Sequence, residues 1–114
     1  DRSFSKSMIR DFEGAISDLT EAIRINPEDG DAYRDRGEVK SMIRDFEGAI
    51  SDLTEAIRIN PKDGDAYVYR GFSKISIDWI NEGCSDLTMA KGLESSYIKD
   101  RTQKFRIEFK KNCQ

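Results

Sequence analysis

Phe46, Ala49, Ile50, Leu53, Ala56 and Ile57 follow one another at steps of three, one, three, three and one. That is the spacing of a single apolar stripe on an α-helix. Phe12, Ala15, Ile16, Leu19, Ala22 and Ile23 repeat it earlier in the chain. Asp11 and Asp45 stand just ahead of the two stripes, where an N-cap carboxylate would meet unpaired backbone amides. Pro27 and Pro61 follow the last stripe positions and end each helix. The turns EDGD and KDGD come next, so Asp29 or Asp31, and Asp63 or Asp65, are placed to cap a second kind of helix. That helix is predicted from about Asp31 to Ile43 and from about Asp65 to Ile77. Its apolar side is thinner, made of Ala32, Tyr33, Val39, Met42 and Ile43, with Gly37 at its centre. A mid-helix glycine costs roughly 1 kcal/mol relative to alanine, and a close crossing of two helices supplies the reason to keep it.

The two rhythms belong to a tandem repeat. Residues Ser7 to Lys40 and Ser41 to Lys74 agree at 29 of 34 positions, and a period of this length signals stacked repeat units. A third copy, from about Gly64 to Tyr97, overlaps the second and has drifted. It keeps Ala66, Tyr67, Arg70, Gly71 and Lys74 in its first helix, and Asp86, Leu87, Thr88 and Ala90 in its second. The opening DRSFSK aligns with the back half of the first-type helix, with Arg2 and Lys6 in the register of Arg70 and Lys74, so a truncated first repeat is expected. Beyond Ser96, Ile98, Thr102, Phe105 and Phe109 share one helical face, as a helix covering the last apolar surface of a stack would require.

Tyr33, Gly37, Phe46, Ala49, Leu53, Ala56 and Pro61 keep the spacing of the tetratricopeptide repeat, and the chain resembles that family. The resemblance implies an all-α, right-handed α-solenoid of antiparallel helix pairs. It would hold about three units in one domain: residues 1–29 as the truncated repeat, 30–63 and 64–97 as the next two, and 98–114 as a capping helix. It also implies that the first helix of each pair lines a concave groove, through Phe4 and Met8, then Asp31, Arg34, Glu38, Ser41 and Met42, then Asp65, Val68, Phe72, Ile75 and Ser76. Four of the five differences between the near-identical copies fall in that helix: Arg34/Val68, Asp35/Tyr69, Glu38/Phe72 and Val39/Ser73. Two readings of them stand side by side, divergence on a ligand-binding surface and a patchwork duplication. Some relatives grip a carboxylate with lysine, arginine and asparagine in these slots. Here Arg34 is the only base and no asparagine is present, so that activity does not carry over.

Two slots depart from the family. Arg2, Arg36 and Arg70 replace the usual leucine beside the glycine, and Lys6, Lys40 and Lys74 replace an aromatic. These bases lie one turn apart on the side facing neighbouring helices and need a counter-charge. Asp18, Asp52 and Asp86 recur at the same period on the edge of the second helix's stripe, so ion pairs within the seam are expected, bidentate where geometry allows.

Charge and composition narrow the function. Residues 1–97 carry 13 basic against 20 acidic side chains, a net −7, and residues 98–114 carry 6 against 2, a net +4. An acidic body argues against nucleic acid as the partner, and no apolar run approaches the length of a membrane span. The chain has no histidine, no phosphate-cradling glycine loop and no metal-ligand cluster, so neither a cofactor nor an enzyme is expected. Cys84 takes the slot of Ile16 and Ile50 and is expected as a small buried apolar residue, with Cys113 exposed and no disulfide between them. The expected function is a protein-interaction module that takes a peptide or partner helix in its groove. Self-association through near-identical units is the alternative, and the cytoplasm is the default compartment in the absence of a leader.

Overall fold

The computed structural model describes the backbone of residues 2–93 and 95–114, and the side chains of residues 11–93 and 95–114. Among the described residues seven helices follow one another: α1 (Arg2–Ile25), α2 (Gly30–Met42), α3 (Phe46–Ile59), α4 (Gly64–Ser76), α5 (Ile80–Gly92), α6 (Ser96–Asp100) and α7 (Thr102–Cys113). No strand occurs among the described residues. The architecture is all-α. The pairs α2/α3 and α4/α5 are antiparallel hairpins: Gly30 lies against Ala56 and Ile59, and Gly37, further along α2, against Leu53 and Ala49.

Local chemistry sets the helix starts. Asp29, Asp45 and Asp63 each accept a bond from the amide three residues on, Ala32 N at 3.0 Å, Gly48 N at 3.0 Å and Ala66 N at 3.2 Å. Of the cap candidates, Asp29 and Asp63 take the role, and Asp31 and Asp65 fall in the first turn. Within each hairpin the reversal is made by one residue in the left-handed region, Arg44 at φ 67° and Asp78 at φ 68°.

The seam inside each hairpin is tight and charged. A β-carbon on Gly37 would sit 2.6 Å from Leu53 Cγ, and one on Gly71 would sit 2.8 Å from the Gly83 carbonyl. Glycine at these positions lets the helices close onto Ala49, Leu53 and Ala56, and onto Leu87 and Ala90, all fully buried. Beside each crossing stands a carboxylate with two cations. Arg36 donates to Asp52 through Nε at 2.8 Å and Nη2 at 2.7 Å, and Lys40 Nζ lies 3.0 Å away. Arg70 repeats the fork on Asp86 at 2.8 Å and 2.8 Å, with Lys74 at 3.1 Å. Each arginine also reaches back one repeat, to Thr20 Oγ1 at 3.1 Å and Thr54 Oγ1 at 3.3 Å. The hydrogen bonds it donates to Asp52 hold the Arg36 guanidinium above its ordinary pKa.

Three expectations change. The first repeat is not a shortened hairpin: α1 runs unbroken from residue 2 to 25, so Asp11 lies inside a helix and caps nothing. Nothing forces Arg10 into the left-handed conformation of its counterparts Arg44 and Asp78, and local helix propensity carries through. The capping helix comes as two pieces, divided at Arg101. Cys84 and Cys113 are joined by a disulfide, with Cα atoms 5.5 Å apart, which ties the last turn of α7 to α5. Both cysteines are half-buried. The sequence kept them apart because their spacing fits no motif; packing α7 against the face on which Cys84 replaces isoleucine brings them together. Such a bond weighs against the cytoplasmic expectation, since cytosolic thiols are kept reduced.

Two outcomes follow. Reduction should lower stability by about 3 to 4 kcal/mol, the loop entropy for a separation of 29 residues, read as a drop in thermal midpoint with reductant that a Cys84→Ser, Cys113→Ser protein no longer shows. Asp52→Ala should cost about 3 to 5 kcal/mol by leaving two cations in the seam without their anion. Glu55→Ala, which removes only a solvated pair with Arg58, should cost under about 1 kcal/mol; equal losses in denaturant melts would show that the seam charge contributes nothing special.

Candidate functional site

The concave side is built by α2 and α4 and closed at one end by α6 and α7. Its central pocket, about 240 Å³, is lined by Glu38, Ser41 and Met42 from α2, Tyr69 and Phe72 from α4, and Tyr97, Arg101 and Lys104 from the cap. A second pocket of about 250 Å³ adjoins it through Phe72, Tyr97 and Lys104 and adds Ile75, Ser76 and Glu108. Of the groove positions expected from sequence, Glu38, Ser41, Met42, Phe72, Ile75 and Ser76 are thus brought together.

The others are placed differently. Val68 is fully buried, packed in a cluster with Leu87, Ala90, Tyr97 and Phe105, so the chain's own cap occupies the surface a ligand was expected to touch. Asp65 accepts from the Ser95 hydroxyl and, at 2.9 Å, from the Tyr97 amide, which fixes the entry into the cap. Arg34 lies between Asp63 at 3.1 Å, Asp35 at 3.3 Å and Asp31 at 3.4 Å. Burial is the largest single influence on its guanidinium and opposes the charge, but the three carboxylates together outweigh it and hold the pKa above its ordinary value. Arg34 is therefore a clasp between α2 and the cap of α4, and Asp31 serves it from an exposed position. Phe4, Met8 and Arg2 lie outside the described side chains. Asp18, the carboxylate expected to meet Arg2, is exposed on α1.

Three of the differing positions of the second copy lie under the cap: Val68, Tyr69 and Phe72 pack in the cluster that holds Tyr97 and Phe105. Their counterparts Arg34, Asp35 and Glu38 belong to no such cluster. Three aromatic residues of the third repeat form one group with Phe105: Tyr69 and Phe72 meet Tyr97 edge-on at 5.7 Å and 5.9 Å between centroids, and Phe72 lies 6.3 Å from Phe105. Sequence reasoning passed over Tyr97, Arg101 and Lys104. Tyr97 lies one residue ahead of the apolar face read in the last segment, and the two bases were absorbed into a solvated charge run. Arg101 stacks over the Tyr97 ring at 4.9 Å.

The site is mixed in character: an aromatic floor, a flexible thioether at the rim, a carboxylate on one wall and two cations on the other. Burial, and then a hydrogen bond to Glu38, push the Tyr69 hydroxyl well above its ordinary pKa. Burial raises Tyr97 as well. The groove's phenols therefore stay neutral through the physiological range.

Comparison with solved structures settles the architecture. The Arabidopsis OM64 TPR domain superposes with a TM-score of 0.74 at 24% identity, over 91% of this chain and 88% of that one. The TPR2AB domain of yeast Sti1 in its complex with an HSP90 peptide gives 0.80 at 24% identity, over 99% of this chain and 43% of that longer one. The second TPR of Spaghetti (RPAP3), bound to the HSP90 peptide SRMEEVD, gives 0.72 at 24% identity, over 82% and 86%. The chain has the tetratricopeptide-repeat fold. Searches with models of known families and of curated protein sequences find no match.

Within that fold the tyrosine pair makes a prediction about alkali. A phenol whose folded pKa is raised stabilises the fold fully below the unfolded pKa near 10, and that contribution is lost as pH rises through the folded value. The thermal midpoint of the wild type should fall steeply as pH increases above about 10, and Tyr69→Phe should flatten the fall. Parallel curves for the two proteins would show that Tyr69 is solvated like a free phenol.

Proposed function

We propose that this chain is a non-catalytic protein-interaction module whose concave groove takes an extended peptide with one bulky apolar side chain. The observation that carries the reading is the lining of the central pocket, where Phe72, Tyr97 and Met42 offer an apolar seat between Glu38 and the pair Arg101 and Lys104. An apolar anchor would bury against the aromatic residues, an acidic neighbour would meet the cations, and a basic one would meet Glu38. Met42, 54% exposed, has the adaptability to close over side chains of different shape.

Two structural neighbours support the reading by what they hold. SRMEEVD sets a methionine between an arginine and two glutamates, the same mix of anchor, base and acids that this groove complements. The residues that would do the work here differ from the family's carboxylate grip: Arg34 is engaged by three aspartates, and the cations at the pocket come from the capping segment.

The test uses residues that can change without breaking the core, since truncating Val68 or Phe72 would unfold the third repeat. Binding of fluorescent SRMEEVD, and of a set of heptapeptides with a central Met, Leu or Phe between acidic residues, is measured by anisotropy. At least one should bind, and Lys104→Glu should weaken it by roughly tenfold, the equivalent of about 1.4 kcal/mol, with the circular dichroism unchanged. Met42→Ala should weaken it by a smaller factor. Failure of every peptide to bind, or binding indifferent to both substitutions, would remove the reading.

A further inference from the structure

The capping segment serves the groove as well as the stack. Among the described residues, both cations that line the two concave pockets, Arg101 and Lys104, stand in the cap, and α2 and α4 contribute Glu38 and no base. The direction of Lys104 is set by its neighbour in sequence. Phe105, 2% exposed, is seated among Val68, Leu87 and Tyr97. Successive residues on a helix diverge by about 100°, so Lys104 turns to the groove when Phe105 turns to the core. The Lys104 cation therefore stands at the groove only while α7 is docked.

α7 has few means of staying docked. It is 12 residues long, a length at which a helix without tertiary support is marginal in water, and no side chain caps its start. Its inner face is one stripe, Phe105, Phe109 and Cys113, at steps of four. Phe105 is buried. Phe109 is half-exposed; it stacks on Phe105 at 5.8 Å and lies under Lys91 at 4.6 Å. The third contact is covalent: Cys113 is joined to Cys84 of α5, where the earlier copies carry Ile16 and Ile50. Asp65 clasps the chain at Ser95 and Tyr97, ahead of α7. Beyond Phe105, the disulfide is therefore the strongest tie between α7 and the stack.

We infer that the Cys84–Cys113 bond is a redox switch for the groove, an inference that rests on the peptide-binding reading and adds its regulation. A dithiol reductant supplies the step. One of its thiolates attacks a sulfur of the disulfide, the S–S bond breaks as a mixed disulfide forms, and the second thiol then displaces the remaining cysteine. Two electrons and two protons pass to the cysteines, and the reductant leaves as a cyclic disulfide. Both cysteines are half-buried rather than sealed in the core, within reach of a small dithiol. While bonded, they close the chain from α5 to the last turn of α7 into a loop, which limits the entropy that α7 gains by coming away. Once reduced, α7 is a short amphipathic helix held by one buried side chain, and it leaves the stack, taking Lys104 from the pocket. The hairpins keep their own seams, because the glycine crossings at Gly37 and Gly71 and the ion pairs on Asp52 and Asp86 use nothing from α7.

The chain has 2 cysteines, so a dithiol acts on it at this bond alone. Hydrogen exchange, with and without dithiol, tests the release of α7 directly. In the oxidised chain the amides of residues 106–113 should be protected. In the reduced chain they should exchange within about tenfold of free-peptide rates, while those of α3 stay roughly a hundredfold or more slower. Peptides of the set above that bind the oxidised chain should bind the reduced one about tenfold more weakly, an equivalent of about 1.4 kcal/mol, and the Lys104→Glu chain should bind alike in both states. A Cys84→Ser, Cys113→Ser chain should behave as the reduced form with or without dithiol. Protection of α7 that survives reduction, a peptide affinity unchanged by it, or loss of helix throughout the reduced chain would each overturn the switch. Failure of every peptide to bind the oxidised chain would instead remove the groove reading, and the exchange of α7 would still decide whether the bond governs the cap.

Discussion

Everything in this fold depends on two helices coming close enough that a glycine in one meets a leucine in the other, with a charged cluster beside the crossing. A carboxylate taken out of water is costly unless its bonds are replaced in full. Asp52 and Asp86 have that replacement: two donors from a planar guanidinium and a lysine one turn further on. The cations are less buried than the anion, with side-chain exposures of 13 to 21% against 6 to 8%. Each cluster's surplus positive charge therefore sits at the rim, where water screens it. A leucine in the arginine's place would pack as well but could not reach the preceding repeat. Arg36 and Arg70 can, because the guanidinium has a third nitrogen to give to Thr20 or Thr54. One residue type fixes both the closing of a hairpin and its stacking on the hairpin before.

The end of the stack is handled by different means. The outer face of the last hairpin must be covered, and α6 and α7 cover it with Tyr97 and Phe105 over Val68, Leu87 and Ala90. Asp65 fixes the start of that segment, and the Cys84–Cys113 bond fixes its far end. Capping also reshapes the groove. By filling one side of α4 it removes Val68 from the binding surface, and by bringing Arg101 and Lys104 to the rim it gives cations to a concavity whose own helices supply mainly acids. Stabilisation and recognition meet in one segment, so the bond that secures α7 also holds Lys104 at the groove.

Much of this was legible in the residues. The stripe from Phe46 to Ile57, the capping aspartates and the aspartate partners of Arg36 and Arg70 follow from helical spacing and the demand that buried charge be paired. The failures share a cause. Periodicity reports which face of a helix is apolar, but not whether a ligand, a neighbour or the chain's own end covers it. Val68 was therefore read as lining a groove when it is core. Arg34 looked like a lone base because Asp31 and Asp35 on its own helix were read as solvated, and no local signal brings Asp63, the cap of α4, against α2. Cys84 and Cys113 are joined by the docking of α7, which no local signal announces. Ser73 has no apolar rationale: its hydroxyl is buried with no hydrogen-bond partner among the described residues, where the twin copy places Val39.

The contrast between α1 and its twin shows which level of organisation makes the hairpin. The sequence SMIRDFEG occurs at residues 7–14 and again at 41–48. In the second place it breaks into a helix end, a left-handed arginine and an aspartate cap; in the first it is plain helix. Sequence alone therefore does not dictate the turn. A non-glycine residue in the left-handed region costs about 1 to 2 kcal/mol, and forming the turn also gives up helical hydrogen bonds. Those losses are repaid only where a whole first helix can lie along the second and bury its glycine, arginine and lysine. In the second and third repeats α2 and α4 do this, and each turn is held by the seam that it closes.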